Sequence, residues 1–229
     1  MMESKGIRPY KKIGIICALV LSCVLFFRYG VYGNLFLTLV LVALMCLELT
    51  RRETKMATTH IATTILGVMY IGFFGAHLIM LREFPLSMNL DYGLGASFVF
   101  LAFIVTWAGD TGAYLVGSII GRTPLIPRIS AKKTREGSVG GLVFAVGAAM
   151  LARWWFAPYL ELWQALILGV LAGTVGQLGD LFESLIKRDA DIKDTSELIP
   201  GHGGILDRFD SLHFTSPLFY YFIKFVVFK

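Results

Sequence analysis

Apolar and polar positions fall along this chain in long blocks, not at the short periods of a soluble fold. Residues 13–27 are apolar up to Arg28, and residues 35–49 are apolar up to the cluster Arg51, Arg52 and Lys55. Each block is shorter than the roughly 20 residues that a membrane-spanning helix needs. Tyr29, Tyr32 and the flanking arginines extend them by snorkelling. The tight connection at 29–34 makes the pair a helical hairpin. Residues 56–81 predict a third span, with Gly67, Gly72 and Gly75 as close-packing points. Residues 82–91 read as a mixed-charge loop containing Pro85.

The block at 93–121 admits two readings. A second helix confined to residues 111–121 would be about 16 Å long, against a hydrocarbon core of about 30 Å. One long crossing is therefore expected, with Asp110 near its cytoplasmic end. Residues 139–155, 162–185 and 212–228 predict the remaining spans. The fold class is all-α, a polytopic integral membrane protein of about seven helices, with six or eight compatible. An N-terminal portion, 1–92, precedes a second portion, 93–229, which carries two polar loops at 122–138 and 188–208. No internal repeat stands out.

Composition agrees with this pattern. The 229 residues are 56% hydrophobic and 16% charged, with a mean hydropathy of +0.69. Soluble domains carry about 25% charged residues. The net charge of +5 follows from Lys and Arg gathering on the cytoplasmic side and gives no reason to expect nucleic acid as a partner. Counting spans from a cytoplasmic tail places both polar loops on that side, and so in the cytoplasm if the membrane is the cytoplasmic (inner) one. Cys17, Cys23 and Cys46 lie in apolar segments and read as small hydrophobes. The first block lacks a small-x-small cleavage site, so it reads as a retained helix.

Charge is concentrated in three places. Gly173, Gly176, Gln177, Asp180, Glu183, Ser184 and Lys187 follow one another at helical spacings, which puts them on one stripe. A carboxylate within a membrane helix faces a cavity, a partner charge or a metal, so Asp180 either pairs with Lys187 or an arginine or serves a site. The second place is WAGDTGAY at 107–114, with Asp110 at a helix end, followed by the pair Gly117 and Gly121, which favours packing. The third is RISAKKTREG at 128–137. With Arg122 it puts five cations within 14 residues, either as a topological signal or as donors to phosphate oxygens. Acids for a divalent cation and bases for phosphates suit phosphate transfer from a metal-bound nucleotide. They suit an ion channel or transporter, the rival class, less well.

The 27-residue stretch SLIKRDADIKDTSELIPGHGGILDRFD at 184–210 resembles the signature of the phosphatidate cytidylyltransferases, also called CDP-diacylglycerol synthases. WAGDTGAYLVGSIIGR and ISAKKTREG are similar to a second region of that family. The resemblance covers 107–210 well and the first hairpin hardly at all. Ala131 stands where the family commonly has proline, and the N-terminal portion is shorter than in many members.

The resemblance implies transfer of a cytidylyl group from CTP to phosphatidic acid at the surface of a lipid bilayer, releasing pyrophosphate. It implies Mg2+ held by Asp180 and Asp207, with a second cation left open. Among the reacting groups it places Asp110, Lys132, Lys133, Glu183, Lys187, Asp194, His202 and Asp210. Arg128, Ser130, Thr134, Arg188, Gly203, Gly204 and Arg208 would bind substrate. Related CTP-dependent lipid enzymes, a CDP-archaeol synthase or a polyprenol kinase, are the nearest alternatives. A homodimer is left open. The lipid phosphate is itself a nucleophile, so no serine or cysteine triad is needed, and positioning and electrostatics carry the reaction.

Overall fold

The structure is a computed structural model that describes residues 6–27, 30–192, 195 and 204–229, without the side chains of 30, 31 and 131. It is an all-α integral membrane protein. The chain divides into two compact units, Met1–Met80 and Leu81–Lys229.

In the first unit, α1 (Lys11–Phe26), α2 (Gly30–Leu49) and α3 (Ala57–Gly67) are followed by a π-helical stretch, Val68–Phe73. Gly72 lets that stretch close on α1, because a Cβ there would sit 2.8 Å from Ala18 Cα. The run continues without a break into α4 (Phe74–Ser87). Residues 82–87 are therefore helical and not part of a loop. Pro85 removes one donor, but its carbonyl accepts from Met88 (3.1 Å) and Leu90 (3.0 Å). The helix stops where Asn89 turns left-handed, at φ 53°, a conformation that asparagine tolerates.

The second unit holds α5 (Gly93–Ile120), the strands β1 (Pro124–Ile126) and β2 (Ser130–Thr134), α6 (Arg135–Trp155), α7 (Leu162–Asp189) and α8 (Leu206–Phe222). A π-helical end, Ile223–Val227, follows. The long crossing at 93–120 is one unbroken helix. Helices α5, α6, α7 and α8 pack in sequence order, and α5 also touches α7 and α8. Small residues permit this closeness. A Cβ on Gly140 would lie 2.5 Å from Val116 Cβ on α5, and one on Gly169 would lie 2.6 Å from Val146 Cα on α6. Phe98, Leu101, Leu168, Leu212 and Phe219 are buried. Large apolar side chains such as Ile119 and Trp154 point outward, as in a protein whose solvent is lipid.

Five helices among the described residues are long and apolar enough to cross a membrane: Tyr32–Leu49, Ala57–Ser87, Gly93–Ile120, Arg135–Trp155 and Leu162–Asp189. Helix α1, with 16 residues, is shorter than that, and α8 is not among the five, so a count of seven crossings stays an expectation.

The two polar loops differ from the sequence expectation. Residues 122–134 fold into a short antiparallel ribbon that pairs Pro124 with Thr134 and Ile126 with Ser130. Residues 135–138 already belong to α6. Thr134 caps that helix, its hydroxyl accepting from Gly137 N (3.1 Å). Glu136 closes the ribbon's base by accepting from Arg122 N (3.1 Å) and Thr123 N (3.2 Å). Arg188 and Asp189 remain on α7, and Asp207, Arg208 and Asp210 already belong to α8.

Candidate active site

Alternating helix directions bring the end of α5, the ribbon, the start of α6, the end of α7 and the start of α8 to one end of the second unit. A cavity of about 440 Å3 opens there. Six of the candidate site residues line it: Asp110, Ser130, Lys132, Lys133, Thr134 and Asp180. The ribbon supplies the bases and the helices supply the acids.

Polar pairs tie the elements together at this end. Lys133 Nζ reaches Asp180 Oδ1 at 2.6 Å, joining the ribbon to α7. Lys187 Nζ lies 2.8 Å from Asp207 Oδ1 and 3.3 Å from Glu183 Oε1, joining α7 to α8. Ser211 Oγ donates to Asp110 Oδ1 at 3.0 Å, joining α8 to α5. Gln177 Nε2 donates to Ser138 O at 2.9 Å, and the Ser138 hydroxyl meets Gln177 Oε1, joining α7 to α6. Arg188 Nε donates to Ile129 O at 3.4 Å, at the ribbon's turn.

Asp207 is the most heavily bonded of the acids. Its Oδ2 accepts from Thr195 N (3.0 Å), Thr195 Oγ1 (2.7 Å) and Gly204 N (2.7 Å). Partial burial pushes its carboxyl upward, but the bonds from Lys187 and Thr195 outweigh that and hold it below the usual carboxylate range. Gly204 is buried, while Arg128 and Arg208 are exposed; none of the three is among the residues lining the cavity. Asp194, His202 and Gly203 lie outside the described residues.

Among the described residues, acid outnumbers base in this cluster. Glu183 is 1% exposed. Its Oε1 meets the Lys187 ammonium at 3.3 Å, and Asp207 and Asp210 lie beside it. Asp210 lies beside Glu183 and Asp180, and Asp110 feels the charges of Asp180 and Asp210. Among the described residues, five carboxyl groups thus lie around the two ammonium groups of Lys133 and Lys187. Uncompensated buried charge is expensive, so the residues present fit a divalent cation by charge. Among the described residues no three His, Cys, Asp or Glu side chains are already arranged as a metal cage.

Sequence reasoning missed several participants. Ser138, Tyr114 and Ser118 line the cavity, and Ser211 and Thr195 hold acids in place. Gln177 was visible as part of the polar stripe and lines the cavity too, but its partner on α6 was not.

A family model described as the cytidylyltransferase family matches residues 2–226. A protein of Synechocystis sp. named phosphatidate cytidylyltransferase is 40% identical over 97% of this chain and 82% of its own length. One of the same name from Bacillus subtilis is 43% identical over 69% of this chain and 56% of its own length. Phosphatidate cytidylyltransferase 4, chloroplastic, of Arabidopsis thaliana is 35% identical over 96% of this chain and 61% of its own. The matched region thus spans little more than half of the last two relatives.

Proposed function

The chain belongs to the cytidylyltransferase family, and from that premise we infer that it transfers a cytidylyl group from CTP to phosphatidic acid, giving CDP-diacylglycerol and pyrophosphate. The observation that carries this reading is the cavity itself, where a basic ribbon faces the helix carboxylates Asp110 and Asp180. In the reaction a phosphate oxygen of the lipid forms a bond to the α-phosphorus of CTP. The bond from that phosphorus to the bridging oxygen of the β-phosphate breaks, and pyrophosphate leaves with the electron pair.

Lys132 is exposed and lines the cavity, ready to hold a phosphate. Lys133 is shared: its ammonium is bound by Asp180 and is positioned to bridge that carboxylate to an incoming phosphate. Ser130 offers a hydroxyl beside them. Asp110, fixed by Ser211, is a further carboxyl group lining the cavity. Asp180 and Asp207 are the proposed holders of Mg2+, with Asp210 adjacent. When bound, the ion neutralises the charge that gathers on the α-phosphate and on the leaving pyrophosphate. Lys187 holds Asp207 against α7 and so sets the distance between the two acids. The acceptor enters from the bilayer, because the cavity opens among membrane helices. The site faces the cytoplasm, where CTP is available, and the membrane is the cytoplasmic (inner) one.

Purified protein in detergent, given CTP, Mg2+ and phosphatidic acid, should produce CDP-diacylglycerol and pyrophosphate in equal amounts. Polyprenol and archaeol-type acceptors should be poor substitutes. Turnover only with one of those lipids would move the chain to another member activity, and ion flux in proteoliposomes without CTP turnover would place it in the transport class.

A further inference from the structure

The Met1–Met80 unit holds a cavity of its own, of about 420 Å3, that the transfer reaction does not use. Arg8 lines it from the segment ahead of α1. Arg51, Arg52, Glu53 and Lys55 line it from the α2–α3 connection, and His60 from the first turn of α3. The wall behind these cations is built. Glu48, at the end of α2, accepts from Tyr10 Oη (2.8 Å) and pairs with His60 Nδ1 (2.9 Å). Arg51 donates from Nε to Tyr10 Oη (3.0 Å) and from Nη2 to Arg8 O (2.8 Å), and its guanidinium lies 4.3 Å from the centre of the Tyr10 ring. These bonds lock the two stretches together at one end of the α1–α2 pair.

Charge is unbalanced in front of that wall. Glu48 lies 3.5 Å from Arg51 and offsets it. Arg8, Arg52 and Lys55 are exposed and face one acid, Glu53. No ion pair is seen for these four among the described residues. The cavity is also lined by Met56, which precedes a helical run of 31 residues. Met56 has φ 65°, and its side chain gives the helix no cap. No side chain caps the first N–H groups of that run, and a helix N-terminus beside clustered cations favours an anion.

We propose that this cavity is a second phosphate-binding site, and that its ligand is the head group of an anionic phospholipid in the adjoining leaflet. Its size suits a small polar head group. Lys and Arg clustered at the ends of membrane helices attract such lipids. A lipid phosphate and free phosphate share this chemistry, so the test separates them. The probe is fluorescent phosphatidylglycerol, whose diester phosphate is not the acceptor of the transfer reaction, bound by the full chain in detergent and read by anisotropy. Arg52→Gln with Lys55→Gln, at exposed positions, should weaken binding at least about tenfold. Arg8→Gln, in the segment ahead of α1, should weaken it independently, and thermal unfolding without lipid should be unchanged in each variant. Inorganic phosphate at millimolar concentration should not displace the lipid. Displacement that is lost in the same variants would keep the phosphate site and assign it to the free anion. Undiminished lipid binding in all variants, or no binding by the wild type, would overturn the proposal.

Discussion

Two lysines adjacent in sequence have different situations. Lys132 is exposed in the cavity, whereas Lys133 has a buried ammonium beside Asp180. Loss of a charge-assisted hydrogen bond removes roughly 1.5–3 kcal/mol, about ten- to a hundredfold in rate or affinity. Lys132→Ala and Lys133→Ala should each lower kcat/KM at least tenfold. Wild-type kinetics in both would leave the ribbon as a topological signal only. The two proposed metal-holding acids also separate. Asp180→Asn should abolish turnover while the protein still folds and inserts. Asp207→Asn should abolish turnover and also destabilise, since Asp207 organises Lys187, Thr195 and Gly204. Thermal unfolding beside steady-state assays distinguishes them, and near-normal activity of Asp180→Asn would remove that residue from the metal site. Acids such as Asp110 and Asp180 were legible in the sequence because a carboxylate in an apolar block is conspicuous. Ser138, Ser211 and Thr195 were not. Hydroxyl residues are common everywhere, and their partners come from other helices.

Close packing of the helices makes its own prediction. Gly169 meets the backbone of Val146, so Gly169→Ala must push α7 from α6, at about 1–3 kcal/mol for overpacking. Gly147 on α6 has nothing within 4 Å of a built Cβ, so Gly147→Ala should leave the melting temperature in detergent unchanged or slightly raised. Equal melting temperatures for the two variants would contradict the described α6–α7 interface. Helix existence was readable from hydropathy, since apolar blocks correspond to the observed rods. Helix ends were not. Residues 82–87, 135–138, 186–189 and 206–211 are helical although polar, because backbone hydrogen bonding continues past the apolar block until a cap or a left-handed residue stops it. Asn89 and Asp191 are such stops. The ribbon was hidden because strands of three and five residues, rich in charge, give no alternating apolar signal.

For the whole molecule, the expectation is that the ribbon lies in the cytoplasm. Arg128 is exposed near the ribbon's turn. A cysteine placed there, in a background without Cys17, Cys23 and Cys46, should be shielded from a membrane-impermeant maleimide in intact cells and should react once the membrane is opened. Labelling from outside would invert the topology. The central claim concerns which part of CTP reaches the lipid, and the fate of isotope answers it. Purified protein is given phosphatidic acid with Mg2+ and CTP labelled at either the α- or the γ-phosphorus. Cytidylyl transfer at the cavity predicts that α-label enters the lipid fraction and γ-label leaves as pyrophosphate, and that Asp180→Asn abolishes both. Label from the γ-phosphorus in the lipid would show phosphoryl transfer instead, and no label in lipid from either position would contradict the account.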